Sequence, residues 1–301
     1  AGSYSPRPAP VAAMTDTDIG TVTVQGVELP RLGLGTWRLT GDDCREAVGT
    51  ALELGHRHID TAQVYRNERQ VGDALAASDV PRDDVFLTTK LGPERSYDDV
   101  LRTTEESLAR LGTDYLDLLL IHWPNGRPPG SPPTPFSSAP GHGETLRAMN
   151  ELVDRGTVRH VGVSNFDIDL LDEARELSDA PVLTDQVQYH PFWDQRELLA
   201  YCRVHDVLLT AYSPLGHGGV LDDAVLERIG RRYGKTPAQV ALRWLVQQDG
   251  VATIPKATSR EHLEANMVVF DFELTEAEMR EIRRPSKYET LKGFLKARVT
   301  G

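Results

Sequence analysis

Positive charge is what this 301-residue chain has least of. Its 33 Lys and Arg face 45 Asp and Glu, giving a formal net charge of −12 and a pI near 5.2. That balance argues against sequence-independent binding to nucleic acid or an anionic membrane, while leaving room for a local phosphate pocket. Lysine is especially scarce: Lys90, Lys235, Lys256, Lys287, Lys292 and Lys296. The bias fits a high-salt habitat and a GC-rich genome about equally well. Cysteine is nearly absent too. Cys44 and Cys202 form no CxxC or Cys/His cluster, so neither a disulfide framework nor a zinc site is expected, and both read as ordinary thiols of a reducing cytosol. No apolar run approaches the roughly 20 residues that span a bilayer. Ala1–Ala13 is Pro/Ala/Ser-rich and lacks the apolar centre of a secretory signal, so a cytoplasmic protein is expected, with Met14 as its natural start. Residues 1–14 are read as an appended or disordered arm, and residues 15–301 as a single domain.

Also missing is a Gly-rich dinucleotide turn. The first strand-like run leads into Gly33-Leu-Gly35-Thr36-Trp37, which is not the G-x-G-x-x-G that an open doubly wound sheet would need. Tyr288-Glu-Thr-Leu-Lys292 has the Tyr-x-x-x-Lys spacing of short-chain dehydrogenases, but it falls in the polar tail, where so short a pattern carries little weight. Gly216-His-Gly-Gly219 follows the seventh strand and reads as a flexible cofactor loop.

What is present is strict alternation. After a hairpin at Thr21–Leu29 turning on Gly26, eight strand-like runs alternate with amphipathic helical segments. The runs are Arg31–Leu34, His58–Asp60, Val85–Thr89, Leu116–Ile121, Val158–Val163, Thr184–Gln188, Leu208–Tyr212 and Ala252–Ile254. Ala47, Ala51 and Leu54 share one helical face; Val100, Leu101, Thr104, Leu108 and Leu111 share another. Asp42 and Thr236-Pro237 read as helix-start signals. Alternation of this kind implies parallel strands with right-handed crossovers, and eight units in about 250 residues is the size of a (β/α)₈ TIM barrel. One proline-rich insertion, Pro124–His142, follows the fourth strand and should border the barrel mouth.

Active sites of such barrels lie at the C-terminal strand ends. There the second strand delivers Asp60 and then Tyr65, the third Lys90, and the fourth His122. Singly, each has a structural explanation: a helix cap, an ion-pair partner, a satisfied core histidine. Four ionisable groups at successive strand ends fit chemistry better. Reducing a carbonyl by hydride leaves an alkoxide that needs a proton. A free phenol, with a pKa of about 10, is a poor donor at neutral pH. A neighbouring lysine should lower it, Asp60 should keep that lysine charged, and His122 should orient the substrate oxygen.

The sequence resembles the aldo-keto reductase superfamily, most closely its prokaryotic diketogluconate-reductase-like members, from about Val22 to Leu274. The likeness is carried by Leu32-Gly-Leu-Gly-Thr-Trp37, His58-Ile-Asp-Thr-Ala-Gln-Val-Tyr65, Asn67-Glu68 and Thr88-Thr-Lys90. It continues through Leu118-Leu-Leu-Ile-His-Trp-Pro124, Gly162-Val-Ser-Asn-Phe166, Gln186-Val-Gln-Tyr-His-Pro191, Tyr212-Ser-Pro-Leu-Gly216 and Ile254-Pro-Lys256. The resemblance implies a monomeric NAD(P)H-dependent reductase of aldehydes, small ketones or sugar-derived carbonyls, without a metal. It implies Asp60, Tyr65, Lys90 and His122 as the catalytic group, with Tyr65 the proton donor. Ser164, Asn165 and Gln186 would hold the nicotinamide carboxamide, Tyr212 would stack on its ring, and Ser213, Leu215 and Gly216 would pass the pyrophosphate. Gly35, Thr36, Trp37 and Ile254 would complete the cofactor cleft. Lys256, Thr258, His262 and Asn266 would meet the adenosine end. Trp37 and Trp123 would line the substrate pocket.

There are departures. Ala257, His262 and Ala265 stand where serine, arginine and glutamate are common, and Arg66 stands where glycine or lysine is more usual. NADP(H) is therefore expected to be preferred by a reduced margin, with NAD(H) usable. A cofactor-sensing regulatory subunit with little turnover is the alternative from a different functional class.

Overall fold

The computed structural model describes residues 20–126 and 141–286. The N-terminal arm, most of the Pro124–His142 insertion and the Tyr288–Lys292 pattern lie outside the described residues. β1 (Thr21–Val24) and β2 (Val27–Pro30) form an antiparallel hairpin. Its two turn residues, Gln25 and Gly26, both have positive φ, 52° and 76°, the backbone that matches the twist of a two-residue hairpin.

Eight parallel strands follow, bonded to one another in chain order: β3 (Leu34–Gly35), β4 (His58–Asp60), β5 (Phe86–Leu91), β6 (Leu116–Ile121), β7 (Val158–Ser164), β8 (Val182–Gln188), β9 (Leu208–Tyr212) and β10 (Val251–Thr253). The sheet closes on itself. Leu32 bridges Thr253 in the parallel sense, Gly33 N–H donates to Thr253 O at 2.8 Å, and Gly35 N–H donates to Pro255 O at 3.1 Å. The result is the (β/α)₈ barrel. Its first strand is shorter than the run Arg31–Leu34 suggests, because the closing seam is crowded. A Cβ on Gly33 would lie 2.8 Å from the His58 ring, and one on Gly35 would lie 2.7 Å from Ile254 O.

Around the barrel run α1 (Gly41–Glu53), α2 (Glu68–Ala77), α3 (Tyr97–Leu111), α4 (His142–Asp154), α5 (Ile168–Leu177), α6 (Arg196–Val204), α7 (Ala224–Tyr233) and α8 (Pro237–Val246). α9 (Arg260–Met267) and α10 (Glu276–Ile282) follow β10. Thr236 and Gln239 form a capping box at α8. At α1 the cap is Thr40, and Asp42 sits inside the first turn. There its charge complements the helix dipole and pairs with Arg45.

Two layers of side chains fix which end of the barrel is free. Leu87, Leu119, Ile121, Val161 and Val163 face outward into the helix layer. Inside, Val22, Val24 and Leu29 of the hairpin pack on Leu118, Leu120, Leu183, Leu208 and Ala252. The hairpin thus plugs the N-terminal end, leaving the C-terminal end for chemistry. Ordinary alternation along β8 sends Val182 to the helix side and Leu183 to the plug. Cys44 and Cys202 are free and buried. Among the described residues no helix is long and apolar enough to cross a membrane.

Candidate functional site

Asp60 ends β4, and Lys90 lies beside it near the end of β5. Each is 1% exposed. Lys90 Nζ donates to Asp60 Oδ1 at 2.5 Å and to Thr61 O at 2.9 Å. Gln186 Nε2, from β8, donates to Asp60 Oδ2 at 2.8 Å. Removing two charges from water is costly, and the cost is offset only when the remaining polar atoms also find partners; the Thr61 and Gln186 contacts supply them. Burial lowers the Lys90 pKa, and Asp60 opposes that shift.

A short turn, Gln63–Tyr65, carries the phenol over this pair. Lys90 Nζ lies 5.1 Å from the centroid of the Tyr65 ring, and the His122 ring meets it edge-on at 5.7 Å. The four residues expected from sequence therefore converge. One expectation about them is corrected. Tyr65 is raised well above the ordinary phenol range, by burial first and by Asp60 second. In the free protein, burial and the Asp60 carboxylate set that direction, so the expected lowering by Lys90 does not prevail. His122 is pushed down to about 3, by burial and then by Lys90, so its imidazole is neutral.

Residues that sequence reasoning passed over hold the Tyr65 loop. Asn67 Nδ2 donates to Thr36 O at 2.8 Å and Leu39 O at 2.9 Å, and its Oδ1 accepts from the Thr61 hydroxyl at 2.7 Å. The buried Glu68 carboxylate accepts from the Thr89 hydroxyl at 2.7 Å and from Arg110 Nε at 2.7 Å. Gln63 Oε1 accepts from Gly92 N–H at 2.6 Å. The only sequence signal was the clustering of polar side chains inside one motif, and burial is what gives them partners.

The second half of the site lies on β7 to β10. Ser164 Oγ donates to Gln186 O at 2.7 Å. Asn165, left-handed at φ 64°, donates to His122 O at 3.0 Å and accepts from the Tyr212 hydroxyl at 2.7 Å. Beyond Tyr212 the chain turns through left-handed backbone at Ser213, Gly216 and His217, with half-buried Leu215 between them. A Cβ on Gly216 would sit 3.2 Å from the His190 ring. Gly35, Thr36 and Ile254 are buried. Thr36 directs both its N–H and its hydroxyl at Asp60 O, so it serves the wall of the cleft. Trp37 is 41% exposed; Arg38 lies over its ring at 4.5 Å and His217 meets it edge-on at 5.8 Å. Trp123 stacks on His122 at 6.0 Å. Lys256, Thr258 and His262 are exposed, whereas Asn266 is buried on α9. A nicotinamide dinucleotide fits this donor set. Asn165 and Gln186 match a carboxamide, Tyr212 offers an aromatic face, and Lys256, which makes no ion pair among the described residues, offers a cation.

The profile described as the Aldo/keto reductase family matches residues 31–287. The chain is 41% identical over 261 residues to a 9,11-endoperoxide prostaglandin H2 reductase of Trypanosoma cruzi (strain CL Brener), covering 85% of this chain and 87% of that one. It is 39% identical over 266 residues to a glyoxal reductase of Bacillus subtilis (strain 168), covering 88% and 91%. A crystal structure provisionally named 2,5-diketo-D-gluconic acid reductase B superposes with a TM-score of 0.83 at 43% identity, covering 89% and 92%.

Proposed function

Because the chain belongs to the aldo/keto reductase family, we propose that this oxidoreductase reduces its carbonyl substrates through Tyr65, with Lys90, Asp60 and His122 arranged around the phenol. The observation that supports this is the convergence of those four side chains at the open end of the barrel. A nicotinamide cofactor, when bound, supplies the hydride that forms the new C–H bond. Ser164, Asn165 and Gln186 would hold its carboxamide, and Tyr212 would lie against its ring.

The remaining chemistry belongs to the protein. As the carbonyl oxygen gains negative charge, the Tyr65 O–H delivers its proton to it. A phenol with a raised pKa keeps that proton until a strong base appears, and an alkoxide is such a base. The phenolate left behind forms beside the Lys90 ammonium, whose charge stabilises it. His122, being neutral, can present an N–H to the substrate oxygen and fix its direction. Trp37 and Trp123 give the pocket apolar walls. Small aldehydes, small ketones and sugar-derived carbonyls are the substrate class. NADP(H) is the preferred cofactor, with Lys256 toward the 2′-phosphate and NAD(H) also usable. A cytoplasmic monomer with one barrel domain completes the reading.

Tyr65→Phe tests it. General-acid loss typically costs on the order of 10²–10⁴ in rate, and a proton needed only in the transition state should appear in kcat. NADPH oxidation with an activated aldehyde is expected to fall by that factor, with the NADPH Kd close to wild type. A Phe variant within a few-fold of wild type would remove Tyr65 as the donor.

A further inference from the structure

Arg66 is exposed at the mouth of the barrel, next in chain to the phenol. It adopts a left-handed backbone, φ 59° and ψ 29°, which disfavours any residue with a Cβ; such strain persists where the surroundings hold it, often at functional sites. Its guanidinium makes no hydrogen bond or ion pair among the described residues. Other arginines of this acidic chain, among them Arg82, Arg102, Arg110, Arg159 and Arg232, engage carboxylates. A second left-handed arginine stands nearby. Arg38, at φ 62°, follows Trp37, lies over its ring and has no carboxylate partner among the described residues. The Asn67 amide binds the carbonyls of Thr36 and Leu39, on either side of Trp37-Arg38. Two loops joined through Asn67, one of them carrying the proton donor, thus hold two arginines with no carboxylate partner among the described residues.

We propose that Arg66, reinforced by the field of Arg38, receives an anionic group on the carbonyl substrate, so that carboxylate- or phosphate-bearing aldehydes and ketones are favoured over neutral ones. This rests on the reductase reading given above. A guanidinium matches the planar fork of a carboxylate, and an unpaired cation in a negatively charged molecule raises the local concentration of anions. The anion belongs to the substrate for a reason of position. Arg66 is on the loop after β4, whose phenol meets the carbonyl, whereas the groups suited to the dinucleotide lie on β7 to β10 and at the end of β3.

The test compares 4-carboxybenzaldehyde with its neutral methyl ester, methyl 4-formylbenzoate, using wild type, Arg66→Gln, Arg66→Lys and Arg66→Gly. Wild type is expected to favour the acid, and less so as ionic strength rises from 20 to 200 mM. Arg66→Gln should lower the acid-to-ester ratio of kcat/KM about tenfold or more, the worth of one charge-assisted hydrogen bond. Arg66→Lys should retain part of the preference. Arg66→Gly relieves the left-handed strain, so it should lose the preference without lowering Tm, an outcome that a merely structural arginine would not give. An unchanged ratio in Arg66→Gln overturns the proposal. So does a weakened NADPH Kd with the ratio intact, which would assign the guanidinium to the cofactor. If wild type reduced neither aldehyde, the reductase reading would fail by itself. Binding of 4-(hydroxymethyl)benzoate against its methyl ester, followed by tryptophan fluorescence, would then still decide whether Arg66 selects the anion, and equal affinities would overturn it.

Discussion

Lys256, Thr258 and His262 stand exposed just before and at the start of α9, and on the reading proposed above single side chains there would govern the choice between the two nicotinamide cofactors. Arg260, the nearest guanidinium in sequence, is turned away: it pairs with Glu53 of α1, and Glu264 lies 3.7 Å from it. On that reading Lys256 would therefore provide the main positive charge for a 2′-phosphate. An imidazole cannot replace the bidentate, permanently charged fork of arginine. His262→Arg is expected to raise the NADPH-over-NADH ratio of kcat/KM by about ten- to a hundredfold, the worth of one charge-assisted hydrogen bond. An arginine variant with the wild-type ratio would place the phosphate elsewhere. At this scale the positions of Asp60, Tyr65, Lys90 and His122 were legible, since each follows or ends an apolar run. The protonation behaviour of Tyr65 was not. It depends on burial and on how Asp60 balances Lys90, and both are sums over neighbours distant in sequence.

Among the elements, the seam between β3 and β10 is the least forgiving. Gly35→Ala would set a Cβ 2.7 Å from the backbone oxygen of Ile254, which has no rotamer to escape into. Overpacking of this kind costs about 1–3 kcal/mol, so a lower Tm and a weaker cofactor Kd are expected together, because the same seam walls the cleft. Gly49, in α1, is the control: a Cβ there meets nothing within 4 Å. Gly49→Ala should stabilise by up to about 1 kcal/mol through helix propensity. Equal Tm values for the two alanine variants would show that the seam relaxes freely. Seven of the eight strand runs lay close to their observed positions because barrel strands are apolar on both faces. The first was misjudged in extent, since only ring closure reveals how little room Gly33 and Gly35 have. Thr40 replaced Asp42 as the cap of α1, the helix beginning two residues earlier than its charge pattern suggested.

In the molecule as a whole, buried imidazoles set the pH range. Burial is the first cause of lowering for His56 and His58, to about 4, and for His122 and His190, to about 3. An imidazole whose folded pKa is depressed is protonated more readily in the unfolded chain. Stability is therefore fully present above about 6.5 and is lost as pH falls toward 4, by about 1.4 kcal/mol per pH unit for each such group. The urea midpoint should drop steeply between pH 6.5 and 4.5, and a flat profile there would mean that the imidazoles take up protons within the fold. Asp185 acts in the opposite sense. It is fully buried, its carboxyl oxygens lack well-formed hydrogen bonds, and burial raises its pKa well above the ordinary range. It thus subtracts stability as pH rises through and beyond the usual carboxylate range. Asp185→Asn keeps the shape without the charge and should raise Tm at pH 7.

The amino-acid sequence by itself determined the alternation of strands and helices and the strand ends or following loops that carry Asp60, Tyr65, Lys90 and His122. Apolar periodicity and turn chemistry are local properties, so they can be read without a fold. Tertiary structure alone decided the rest. Closure of the barrel brought Gly35 against Ile254, Gln186 to Asp60, and Asn67 to the carbonyls of Thr36 and Leu39. It also fixed which side chains lost their water, and so which protons they hold. Those are pairings between residues far apart in the chain, and no local pattern encodes the distance between them.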